Sequence, residues 1–137
     1  MFVHNSWTAR RSGTSSTGSA IRSYASTPGV GIQALSLIPG SRNPKEIIAD
    51  IDNGILVQSV TGLHSGVNPV SGDFSTGAEG LRIRNGQLAE PIREFTIGST
   101  IQRMLQDMSE VGNDLEWLPM SSAGSTVLIG ELTISGA

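Results

Sequence analysis

The 137-residue sequence has no cysteine, six aromatic residues and two histidines. Without cysteine, disulfide frameworks, thiolate metal sites and cysteine nucleophiles are excluded. The histidines, His4 and His64, belong to no HExxH or other ligand spacing, and alone they cannot fill a tetrahedral zinc site. Apolar runs reach four residues at most, too short to span a bilayer. The N-terminal stretch MFVHNSWTARRSG turns polar at once, unlike a secretory signal. A net charge of −3 provides no field to hold a polyanion. The expectation is a soluble, cytoplasmic protein with neither nucleic acid nor membrane as partner.

Small residues fill the space: 17 glycines, 19 serines and 10 threonines against 37% hydrophobic residues. Such a composition predicts many turns and thin packing. The length suits one domain, or one piece of a larger protein.

Residues Ser12 to Thr27, dominated by Ser, Thr and Gly, read as a flexible loop. Val30 to Ile38 alternates loosely and is closed by Pro39-Gly40, which predicts a strand and a turn. Asn43-Pro44-Lys45-Glu46 has the chemistry of a helix start, with a capping Asn, a Pro at the first position and a Glu able to reach back. Ile47, Ile48 and Ile51 give the apolar stripe of that helix, and Gly54 is placed for a left-handed cap. Ile55 to Val60 predicts a strand. The stretch Thr61 to Gly80 holds five glycines and reads as a long loop, a feature usually kept for function.

Leu81 to Arg84 alternates, and Asn85-Gly86 is the strongest short hairpin signal. The return strand runs from Gln87 to Ile97, with Pro91 marking an edge or a bulge. A second helix is predicted from a Ser99 cap through Ile101, Met104, Leu105, Met108 and Val111, stopped by Gly112. Glu116 to Leu118 and Thr126 to Ile134 complete the strands. The fold class expected is α+β, antiparallel and β-rich with two short-to-medium helices, over residues 1–137 as a single domain or fragment.

Little of this carries recognisable chemistry. The order Gly62-Leu63-His64-Ser65-Gly66 is not the nucleophile elbow GxSxG, and neighbouring His and Ser diverge in an extended chain. The glycine-rich stretch has neither a Walker lysine nor GxGxxG at a strand-to-helix junction. Asp73 reads as a turn residue, the Met104–Met108 stripe as helix core, and Arg82, Arg84 and Arg93 as a solvated face.

Order along the chain says more. Gly66-Val67-Asn68-Pro69-Val70-Ser71-Gly72-Asp73-Phe74-Ser75 resembles the GVN-x-x-(S/T)-GD-(F/Y)-S segment of the TldD/PmbA family, also called modulators of DNA gyrase. Gly77-Ala78-x-Gly80, Asn85-Gly86, Pro91-Ile92-Arg93-Glu94 with Thr96-Ile97, and Val111-Gly112-Asn113-Asp114 follow in the family's order. Upstream, Thr8-Ala9-Arg10-Arg11-Ser12-Gly13 and Thr17-Gly18 are similar to its S-A-R-K-x-G…T-G-N-A stretch. Family members are several times longer, so the chain resembles their C-terminal portion.

The resemblance implies zinc peptidase activity on flexible peptides by a pair of related, heterodimeric subunits. In it the TldD type carries HExxH upstream and a cysteine ligand near the C-terminus, and the PmbA type, also called TldE, lacks both. Between Asp114 and Thr126 this sequence has no cysteine, and HExxH is absent throughout. It is therefore similar to the PmbA/TldE type, with no catalytic or metal-binding residue of its own and no cofactor. Zinc is expected in a TldD-type partner. His64, Asn68, Gly72 and Asp73 are the candidate contacts to peptide or partner. A protein-interaction module of gyrase-modulator type, without a proteolytic role, is the alternative.

Overall fold

The computed structural model describes residues 3–32, 35–119 and 122–136. They fall into two compact units, Met1–Leu37 and Ile38–Ala137.

The first unit begins with helix α1 (Ser6–Arg11), absent from the sequence expectation. Asn5 starts it. Its side chain accepts from the Thr8 amide at 2.8 Å, while the Thr8 hydroxyl accepts from the Asn5 amide at 3.0 Å. Thr8 thus takes the reciprocal position usually held by Glu or Gln. The Asn5 amide group also donates to the Gly29 carbonyl, tying the helix start to a two-strand ladder. In that ladder β1 (Ala20–Ile21) pairs antiparallel with β2 (Gly29–Val30). The expected Ser12–Thr27 loop therefore contains a short strand, and the expected Val30–Ile38 strand shrinks to the end of β2. Part of the latter, Gln33 and Ala34, lies outside the described residues.

In the second unit helix α2 (Pro44–Ala49) forms as its sequence predicts, with Asn43 and Glu46 completing the capping box. Its Ile47 and Ile48 are buried. The helix closes at Asp50 rather than at Gly54, which instead enters strand β3 (Asn53–Thr61). A short helix, α3 (Leu63–Gly66), leads to the long hairpin of β4 (Asp73–Arg84) and β5 (Gln87–Thr100). Asn85 and Gly86 both take positive φ, 48° and 74°, as a two-residue type I′ turn requires.

Beyond β5 come α4 (Ile101–Gln106), β6 (Met108–Val111), β7 (Glu116–Leu118), β8 (Ser122–Gly124), β9 (Val127–Ile129) and β10 (Thr133–Ser135). The main sheet is antiparallel in the order β10-β5-β4-β3, and β6–β9 and β7–β8 form separate ladders. Pro91 sits where β5 has a neighbour on one side only, because β10 covers no more than Thr96 to Gly98. Register shifts mark bulges in β5, with Glu94 at φ 58° inside one of them. Phe95, Ala78 and Ile97 form the buried core, flanked by Ile55, Phe74 and Ile92.

The architecture is α+β and β-rich, with four helices among the described residues where two were expected. The predicted second helix is the largest revision. Thr100, not Ser99, caps α4, and Met108–Val111 leaves the helix to pair with β9. Ile101 and Leu105 are exposed and Met104 is half-buried, so this stripe is not a helix core. The predicted Thr126–Ile134 strand likewise divides between two sheets.

Candidate functional site

Much of the glycine-rich stretch is ordered by its own backbone. Gly62 opens α3 with φ 80°, and Ser65 donates its hydroxyl to the Gly62 carbonyl at 3.2 Å. Ser65 is thereby engaged in a turn and shows no link to His64. From Asp73 onward the expected loop is strand β4, whose Gly77 and Gly80 lie within the ladder to β3.

Between α3 and β4 the chain folds back sharply at Asn68–Asp73. The Asn68 amide donates to the Asp73 carbonyl at 2.9 Å, and the Gly72 amide to the Asn68 carbonyl at 2.8 Å. Inside this turn the Asn68 side-chain oxygen accepts from the amides of Val70 and Ser71, at 2.9 and 3.2 Å. A short polar side chain thus substitutes for a carbonyl at the turn. The Ser71 hydroxyl donates to the Asp73 carboxylate at 2.6 Å.

Gly72 has φ 82°, and its carbonyl accepts from the Ile101 amide, which joins the turn to the start of α4. Gly66 is required for a different reason. A β-carbon there would stand 2.0 Å from the Ser75 carbonyl oxygen, so only glycine permits this approach.

The four candidate residues thus divide. Asn68, Gly72 and Asp73 are brought together and brace one turn. His64 stands apart on α3, exposed and with no side-chain hydrogen bond or ion pair among the described residues. Leu63, next to it in the sequence, and Val70, in the turn, are exposed apolar residues.

Two clefts open on the sheet face that carries Phe95 and Ile97. One, of about 560 Å³, is lined by Ile55, Val57, Phe95, Thr100, Arg103 and Thr133. The other, of about 590 Å³, includes Phe74, Met104, Asp114, Thr126 and Leu132. None of the four candidate residues lines either cleft.

Asp114, on the rim of the second cleft, accepts from the Thr126 hydroxyl at 2.7 Å, the Thr126 amide at 3.0 Å and the Ser125 hydroxyl at 3.0 Å. These donors, the Thr126 hydroxyl foremost, hold its carboxyl below the ordinary aspartate value. Sequence reasoning met Asp114 only as the last residue of a motif and did not foresee this anchoring. Its partners Ser125 and Thr126 lie 11 and 12 residues further on, and local pattern carries no sign of them.

Nearby, Arg42 bridges Asp50 at 2.6 Å and Glu110 at 3.2 Å, linking α2 to β6. Among the described residues no three His, Cys, Asp or Glu side chains converge on a point that could hold a metal ion. None of their helices is long and apolar enough to cross a membrane.

Known proteins align with the whole of this arrangement. A family profile described as PmbA/TldA metallopeptidase C-terminal domain matches residues 1–136. A metalloprotease PmbA homologue of Haemophilus influenzae is 33% identical over 139 aligned positions, covering 98% of this chain and 28% of that protein. Among solved structures, a candidate modulator of a DNA gyrase from Thermotoga maritima superposes with a TM-score of 0.82 at 30% identity, over 98% of this chain and 30% of the other. TldE from Thermococcus kodakarensis superposes at 0.74 with 29% identity, over 98% and 31%. The chain thus spans less than a third of the length of these relatives. With sequence and fold in agreement, the chain belongs to the PmbA/TldD family of metallopeptidase-related proteins, as its C-terminal domain.

Proposed function

We propose that this chain is the C-terminal domain of a non-catalytic, PmbA/TldE-type subunit, which supports the cleavage of flexible peptides by a zinc-bearing, TldD-type partner in a cytoplasmic heterodimer. The observation that carries this reading is the segment from Leu115 to Ser125, where the TldD type supplies its cysteine ligand. Here it contains no sulfur ligand of that kind and supplies the strands of the exposed β7–β8 ladder instead. Hydrolysis at zinc needs side chains that fix the ion and a base for its water; this segment lacks the cysteine ligand, and HExxH is absent from the sequence. The likeness to a PmbA homologue and to a TldE supports the same assignment.

Within such an assembly the Asn68–Asp73 turn gives shape, and His64 is the polar group free to meet an extended peptide. The experiment mixes the protein carrying this chain with a TldD-type partner and an unstructured peptide. Cleavage that needs both proteins is expected. Chelator-sensitive cleavage by this protein without the partner overturns the reading.

A further inference from the structure

The charges of this chain are divided unevenly. Residues 1–37 contain Arg10, Arg11 and Arg22 and neither Asp nor Glu, whereas residues 38–137 hold all twelve acidic residues and the other six basic ones. The three arginines therefore have no carboxylate within their own unit. In the second unit, by contrast, Arg42, Arg82, Arg84 and Arg103 each have one within 3.4 Å.

The cationic groups are also prepared for contact. Arg10 and Arg11 occupy the last turn of α1, both exposed. The Arg11 guanidinium lies 4.7 Å from the ring centroid of Trp7, one helical turn earlier, and Trp7 itself remains 60% exposed. This stacking orders a long side chain before any ligand arrives, which reduces the entropy lost on binding. Arg22 is anchored through Nε to the Ser26 carbonyl at 3.0 Å, and among the described residues its two terminal nitrogens have no hydrogen-bond partner. Tyr24, in the connection from β1 to β2, is fully exposed.

Guanidinium forks match carboxylates in a bidentate manner, and exposed indole and phenol rings accept apolar side chains beside them. We propose that the 1–37 unit is a docking surface for an acidic polypeptide segment, one in which carboxylates alternate with apolar residues. Nucleic acid fits less well. Three cations release few counterions, so a long polyanion gains little affinity from them. One face of Trp7 is also already covered by Arg11, which removes half of that stacking platform. The proposal is independent of the subunit assignment above, because it requires neither a partner's zinc nor peptide cleavage.

The test titrates the full chain, with Trp117→Phe so that emission reports Trp7, against an unstructured peptide alternating Glu and Leu. A matched peptide with Gln for Glu and a single-stranded oligonucleotide of equal net charge serve as comparisons. The Glu peptide is expected to shift Trp7 emission and to bind more tightly than either. Its affinity should fall about tenfold in the Arg10→Gln/Arg11→Gln variant, and further as salt rises. Lys45→Gln, an exposed charge change in the other unit, should leave it unaltered. Circular dichroism of each variant establishes that the fold is retained. Equal binding of the Gln peptide, tighter binding of the oligonucleotide, or full affinity in the folded double-arginine variant overturns the proposal.

Discussion

Replacing Asn68 by alanine separates a side chain that shapes a turn from one that handles a ligand. The substitution removes the acceptor for the Val70 and Ser71 amides and leaves the backbone bonds Asn68–Asp73 and Gly72–Asn68 available. Both amides belong to exposed residues, so water can replace the lost acceptor, and the cost resembles that of losing an exposed helix cap, about 1 kcal/mol. For the 100-residue second unit this corresponds to a fall in Tm of about 4–8 °C. Aspartate keeps the accepting oxygen, so Asn68→Asp should recover most of the loss. Thermal and denaturant melts of the three proteins supply the measurement, alongside peptide cleavage by the partnered assembly. An Asn68→Ala protein with unchanged Tm and abolished cleavage would refute the reasoning, since the side chain would then be acting on the peptide.

Other outcomes follow from the same structure. His64→Ala should lower partnered cleavage without moving Tm, because the exposed imidazole has no bond to lose among the described residues; equal cleavage would remove His64 from the proposed contact. Gly66→Ala forces a methyl against the Ser75 carbonyl and should destabilise by about 1–3 kcal/mol in denaturant melts, more than alanine at an open position. Phe95, 1% exposed, should cost about 3–5 kcal/mol when truncated to alanine.

Asp114 makes stability depend on acid. Its carboxyl is held below the ordinary value in the folded chain, so its contribution is complete above the unfolded pKa and is lost as pH falls through the lowered folded one. Tm measured against pH should therefore converge for wild type and Asp114→Asn in strong acid, with the wild type ahead near neutrality.

Elements specified by short-range chemistry were legible in the sequence. Asn43, Pro44 and Glu46 announce α2, and Asn85-Gly86 announces the hairpin, because cap and turn depend on residues a few positions apart. What failed was decided at long range. Ile101, Met104, Leu105, Met108 and Val111 fit one helical face, yet the last two belong to a strand because β9 offers them a ladder. The glycines of Gly62–Gly80 suggested a loop, yet Gly77 and Gly80 lie in β4, where a β-carbon at Gly80 would meet the Leu56 carbonyl oxygen of β3. Helix α1 escaped notice because Thr8, rather than Glu or Gln, completes its box.

The candidate site was legible as a motif. Its internal division was not, since only the hydrogen bonds distinguish Asn68 and Asp73, committed to the turn, from His64.

The main sheet also has a built-in order of assembly. Arg84 and Gln87 meet across a two-residue turn, so β4 and β5 can zip together within microseconds at little cost in loop closure. Strand β10 reaches β5 only by closing a loop of roughly 35 residues, from Gly98 to Thr133, and it is held there by three paired residues. It is therefore the strand expected to join last and fray first, and within Thr96 to Gly98 only the amides that point toward β10 inherit its exchange rate, while those that alternate with them pair with β4 and keep that of the hairpin.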